Sequence, residues 1–187
     1  MNKEWKNMQS SLFVVTILFF LIGMIHISFA TVGLLCFGVP LYLYLKYKEK
    51  VWCKHICPRA GFFTKVLSKI NIGLKPPQFL AGAEFRKAVV IYFAINLFFV
   101  TMSTIMVSIG RLEPIEMVRF MIVYSIPLKL PQLLDLNVSD NLVHLGYRAY
   151  SMMFTSTFIG VILGVLYKPR TWCRICPVNT LTKVVKS

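Results

Sequence analysis

The chain has 187 residues, 57% hydrophobic and 15% charged, with a mean hydropathy of +0.67. Soluble domains carry nearer 25% charged residues, and a chain this short has no interior able to hide so much apolar surface, so a soluble globular protein is excluded. The net charge of +14, from 21 Lys and Arg against 7 Asp and Glu, gathers in a few segments and is read as a topology signal, with no nucleic-acid partner expected.

The first apolar stretch runs from Ser11 to Leu45. As one helix it would be about 52 Å long, against a hydrocarbon core of about 30 Å. Two short spans with a tight turn between Gly23 and Gly33 fit better, with Pro40 kinking the second. A single long tilted helix is the alternative, and it would move the amino terminus to the other side.

Residues 46–87 are strongly basic, with ten Lys and Arg against Glu49 and Glu84. They contain Trp52-Cys53-Lys54-His55-Ile56-Cys57-Pro58, then an apolar piece around Phe62 to Leu67. With Lys65 and Lys69 one turn apart, that piece reads as a short amphipathic helix on the membrane surface. A further span of 22 uncharged residues runs from Ala88 to Ile109. Between 110 and 149 the charges cancel, as expected of the non-cytoplasmic side. The semi-apolar run from Met117 to Leu128, interrupted by Arg119, reads as an interfacial or re-entrant helix.

The last span is read from Ala149 to Tyr167, which leaves no charged residue inside any span and removes the usual mark of a transporter. Its Gly160 and Gly164 form a GxxxG, which suits the close approach of another helix and is equally a chance pair. A basic tail follows with Trp172-Cys173-Arg174-Ile175-Cys176-Pro177.

Each half thus reads as a pair of apolar segments, basic residues, a Trp-Cys…Cys-Pro motif and a short helix. The expected fold is an all-α, polytopic membrane protein with about four transmembrane helices in a single membrane domain, 1–187. Two parallel repeats, 11–75 and 86–187, each end in a Cys-Pro motif on the same face. Under the positive-inside rule that face is cytoplasmic, with both termini and both motifs on it, in the cell membrane.

Four of the five cysteines lie in the motifs. Close Cys pairs bring soft thiolates to a common centre, which suits an iron–sulfur cluster or zinc. A 4Fe–4S cube needs four ligands, and Cys53, Cys57, Cys173 and Cys176 supply that number, with proline after the last Cys of each motif as in ferredoxins. A structural four-cysteine zinc site uses similar spacings and stays open. So does a dithiol or disulfide, although reducing cytoplasm and the C-x3-C spacing argue against it. Lys54, His55, Arg59, Arg170 and Arg174 flank the motifs, as topology residues or as cations that would stabilise a reduced cluster. Trp52 and Trp172 read as interfacial anchors, with packing against a cluster as the alternative. Cys36 reads as a small buried residue, and His26 and His144, without placed partners, make a poor case for haem.

At Trp52-Cys53…Cys57-Pro58 and Trp172-Cys173…Cys176-Pro177 the sequence resembles the ferredoxin-type membrane proteins of the NapH/MauN and NosR kind. It departs from them in the two-residue spacing of the second motif and in Lys54, where the family often has Gly. Such proteins continue into a ferredoxin domain with further Cys motifs, and this sequence ends at Ser187 without one, so one 4Fe–4S cluster is expected. The resemblance implies an electron-transfer subunit rather than a stand-alone enzyme. It would pass electrons between the quinone pool or a cytoplasmic donor and a partner oxidoreductase or ferredoxin-like protein, with quinone as a second cofactor. The alternative is a non-catalytic membrane sensor or maturation factor with a structural four-cysteine metal site. Either one chain supplies all four ligands or a homodimer shares them.

Overall fold

The computed structural model describes residues 11–121, 124–125, 130–134 and 138–184. It is mostly helical. Helix α1 is Phe13–Ile25, and after His26 the chain continues as a 3₁₀ segment, Ile27–Leu34, directly into α2, Leu35–Tyr47. His26 has extended backbone and its Nδ1 accepts from Ser28 N–H at 3.3 Å, so it caps the 3₁₀ segment. Phe19, seven residues before this break, touches Gly33, seven after it, so the chain doubles back at His26. The break falls inside the expected window between Gly23 and Gly33.

Among the described residues three helices are long and apolar enough to cross a membrane: Ile27–Tyr47, Ala83–Ser108 and Asp140–Leu166. The shorter apolar helix Phe13–Ile25 spans about 20 Å at 1.5 Å per residue, less than a hydrocarbon core. The remaining elements are α3 (Pro58–Val66), α4 (Gln78–Ala81), α5 (Ala83–Ser108), α6 (Asp140–Leu166), α7 (Thr171–Ile175) and α8 (Pro177–Val184).

The described residues divide into two compact units, one from within 1–17, 36–93 and 157–187, the other from within 18–35 and 94–156. In the first, the core is Phe63, Leu67, Leu80, Trp172 and Ile175. Helix α3, read from the sequence as amphipathic, turns its apolar face onto α6. Its Phe63 is 0% exposed and sits over Gly160, while Leu67, one turn on, sits over Gly164. The i,i+4 ridge of α3 and the 3₁₀ turn that extends it, Leu67–Lys69, matches the i,i+4 groove of α6, so the glycine pair receives these two side chains. The segment that follows closes the end of α6: Ile72 N–H and Leu74 N–H donate to Val165 and Leu166 carbonyls at 2.7 and 3.1 Å. These carbonyls belong to the last turn, which finds no N–H donors within the helix.

In the second unit Ile27, Ala30, Val118, Tyr147 and Tyr150 form the core, with Phe19, Phe20 and Phe154 packed on it. Gly146 lets the Ile27 carbonyl approach α6 more closely than any Cβ would permit. The expected interfacial helix is absent from the described part of Met117 to Leu128. Arg119–Phe120 pairs antiparallel with Tyr124–Ser125, and Met121 at the bend has a positive φ of 50°; residues 122–123 and 126–129 lie outside the description. The ribbon forms here because α6 offers side-chain acceptors in its register. Arg119 N–H donates to Ser151 Oγ at 3.0 Å and Met121 N–H to Thr155 Oγ1 at 3.2 Å.

Candidate metal centre

Both Cys motifs are built the same way. Each begins at a Trp whose carbonyl accepts from the N–H of the motif's last Cys, and that Cys leads through proline into a short helix. In the first motif Cys57 N–H donates to Trp52 O at 2.8 Å, five residues back, so Trp52–Ile56 is a π-helical turn. In the second, Cys176 N–H donates to Trp172 O at 2.9 Å, four residues back, an ordinary α turn. The extra residue of C-x3-C is therefore taken up as one residue of π-bulge, and the two spacings deliver the last Cys to equivalent positions. The backbone then carries on alike: Gly61 N–H bonds to Cys57 O and Thr180 N–H to Cys176 O.

Proline at the first helical position has no N–H to lose, which leaves the preceding Cys at the cap of α3 or α8 with the helix dipole directed at it. At Cys176 the N–H groups of Val178 and Asn179 point to the sulfur and favour its thiolate.

The four thiols expected as ligands, Cys53, Cys57, Cys173 and Cys176, line one pocket together with Arg59, Ala60, Phe63, Trp172 and Asn179. The pocket holds about 360 Å³ of atom-free space, counting the part open to solvent. Polar bonds strap the motifs across it. Arg170 Nη2 donates to Cys53 O at 3.4 Å, Asn179 Nδ2 to Cys173 O at 2.8 Å, and Lys50 Nζ to Asn179 Oδ1 at 3.1 Å. One chain thus brings all four thiols together.

Burial pushes the Cys53 thiol up to about 12, and the neighbouring Cys176, Cys57 and Cys173 add to the shift. Burial likewise pushes Cys173 up to about 11, opposed by Arg170 and Arg59. Cys176 is also raised, mainly by burial, with Arg59 opposing. Four thiols this close cannot all ionise without a cation among them; a bound metal centre would take their protons' place.

Trp172 is 9% exposed, belongs to the core and lines the pocket, so it packs against the site and is no interfacial anchor. Its Nε1–H is buried without a hydrogen-bond partner. Cys36, at the start of α2, is half-buried and lies within electrostatic range of Cys57 and Arg59, nearer the site than its place in a span suggested. His144 is 1% exposed with both ring nitrogens engaged: Nδ1 accepts from Ile115 N–H at 3.2 Å and Nε2 faces Ser103 Oγ at 3.1 Å. A ring bound on both sides has no nitrogen left for haem iron.

The donor set, four soft thiols lining one pocket, fits an iron–sulfur cube. Zinc–sulfur bonds of about 2.3 Å would draw four thiolates to within about 4 Å of one another. Four soft donors around an apolar-lined pocket suit a sulfide-containing cluster.

A family model for a 4Fe–4S binding domain matches the chain twice, over residues 29–77 and 150–187, and each match contains one Cys motif. No curated protein and no solved structure gives a significant match. Over both motifs the chain is similar to 4Fe–4S binding domains, which supports a ferredoxin-type iron–sulfur protein with apolar helices compatible with a membrane.

Proposed function

We propose that this protein is a membrane-bound electron-transfer protein holding one 4Fe–4S cluster on Cys53, Cys57, Cys173 and Cys176. The observation that carries the reading is the convergence of all four motif thiols on one pocket. The cluster would supply a one-electron carrier. The protein's own residues do the rest: Arg59 and Arg170 offset the charge of the thiolates, and Ala60, Phe63 and Trp172 form a wall that limits water. The Lys50–Asn179 and Arg170–Cys53 bonds hold the two motifs at fixed separation.

The same reading has four spans, with α1 as the short first one, in two parallel repeats with both motifs and both termini cytoplasmic. The paired motif geometry and the basic segments beside both motifs support it. Electrons would pass between the quinone pool or a cytoplasmic donor and a partner oxidoreductase. Spectropotentiometry of the purified protein, followed by reduction with a quinol analogue, tests this. A cluster with a reversible one-electron midpoint that the quinol or a ferredoxin-type donor reduces supports the reading. A cluster that cannot be reduced would make the site structural and remove the transfer role.

A further inference from the structure

The Asp140 end of α6 carries a polar stripe on an otherwise apolar helix. His144, Arg148, Ser151 and Thr155 follow one another at intervals of four, three and four residues, which puts them on one face. Three members are satisfied. His144 is held by Ser103 and the Ile115 N–H, Ser151 takes the Arg119 N–H, and Thr155 takes the Met121 N–H.

Arg148, between them, is the exception. It is 8% exposed, and its Nε and Nη1 are buried without a hydrogen-bond partner. The charged group that acts on it is a second cation, Arg119, whose own Nε is also buried and unpartnered. Arg119 is held beside it, since its N–H is bonded to Ser151, three residues beyond Arg148. Among the described residues the acids of this segment make no ion pair with either arginine; Glu116 acts on Tyr147 instead, and the ion pair present is Glu84–Lys87. Two neighbouring guanidiniums, both with desolvated donors and with no carboxylate paired to either among the described residues, are not a stable arrangement by themselves. A buried charge persists when it is paired.

We propose that Arg148 and Arg119 form a binding site for a phosphate group, on the headgroup of a phospholipid or as a free anion. A guanidinium presents planar donors matched to phosphate oxygens, and two of them match an anion with several acceptor oxygens. The depth fits a lipid source. Arg148 is the ninth residue of α6, about 12 Å along the helix from Asp140 and so within the outer third of a candidate span. The neighbouring chain also exposes Met117, Met121 and Tyr124, apolar surface against which acyl chains would lie. The site is independent of the cysteine pocket and of the electron-transfer reading.

Native mass spectrometry of the full-length protein, released from mild detergent, tests the proposal. Three arms are compared: incubation with phosphatidylglycerol, with phosphatidylcholine, and with inorganic phosphate. One tightly retained phosphate-bearing adduct per chain is expected. Retention of phospholipid assigns the lipid source, and retention of inorganic phosphate alone assigns a free anion. Arg119→Gln, at a half-buried position, should weaken the adduct at least tenfold, and Arg148→Gln should abolish it. If Arg148→Gln fails to fold, the wild type and Arg119→Gln still decide. The proposal is overturned if no arm leaves an adduct on the wild type, or if the adduct persists undiminished in Arg119→Gln.

Discussion

Replacing Gly160 with Ala sets one methyl group against a ring that has no room to retreat. A Cβ there would lie 2.9 Å from Phe63 Cε2 and 3.2 Å from Cε1, with Cζ closer still. Carbon atoms rest about 3.5–4.0 Å apart. Ala is favoured over Gly in a helix interior by about 1 kcal/mol, which opposes the clash. Overpacking a closed core by one methyl costs about 1–3 kcal/mol. Phe63 is 0% exposed and wedged among Leu67, Trp172 and Ile175, so the upper half of that range applies. The expected net loss is about 1–2 kcal/mol, which for a chain of this size lowers Tm by roughly 2–8 °C. Because Phe63 also lines the thiol pocket, the displaced ring should alter the spectrum of a bound cluster. Thermal unfolding in detergent of wild type, Gly160→Ala, Phe63→Leu and the double variant measures the effect. The double variant should recover at least about 1 kcal/mol relative to the sum of the singles, because the smaller side chain gives the methyl its space. A Gly160→Ala protein that melts at or above wild type, with additive singles, would refute the proposed seating of Phe63 on α6.

Gly146→Ala should be costlier than Gly160→Ala, because its new methyl meets the Ile27 carbonyl and Ser28 Cα, backbone that no rotamer change moves; loss of folded yield or a larger Tm drop checks this. Arg59→Gln should leave iron and sulfide content unchanged and lower the midpoint potential, since a cation acting on Cys173 and Cys176 stabilises the more negative reduced state; an unmoved midpoint in a redox titration followed by EPR would show that Arg59 has no such role. Deleting His55, which shortens the first motif to the spacing of the second, should preserve the metal content if the π-turn does no more than absorb one residue; loss of iron on anaerobic analysis would show that the bulge itself positions Cys53.

What the sequence made legible were features fixed by composition and local spacing. Long uncharged runs such as 88–109 announce helices because hydrocarbon tolerates no unpaired backbone, and the doubled Trp-Cys…Cys-Pro announces a shared centre. Less visible was anything decided by a partner far along the chain. The spacing of Phe63 and Leu67 is an ordinary apolar i,i+4 pair until Gly160 and Gly164 are seen to lie opposite. The unequal motif spacings looked like a departure, and only the Trp52 and Trp172 hydrogen bonds reveal them as two closures of one turn. Reading the last span from Ala149 put Arg148 just outside it, because hydropathy stops at a charge. The helix begins at Asp140, and Arg148 is buried within it. The ribbon at Arg119–Phe120 was missed for a similar reason: its N–H partners are hydroxyls on α6, which local propensity does not register.

The central claim, that the four motif cysteines hold one iron–sulfur cluster, is tested most directly by anaerobic purification in detergent with iron, sulfide and zinc analysis. EPR after dithionite reduction, run on wild type, Cys53→Ala and Cys36→Ser, completes the measurement. The account predicts about four iron and four sulfide per chain and a reduced-cluster signal in wild type. Cys36→Ser should keep both, and Cys53→Ala should lose them. Stoichiometric zinc without iron, or a Cys53→Ala protein with its iron and spectrum intact, would contradict it.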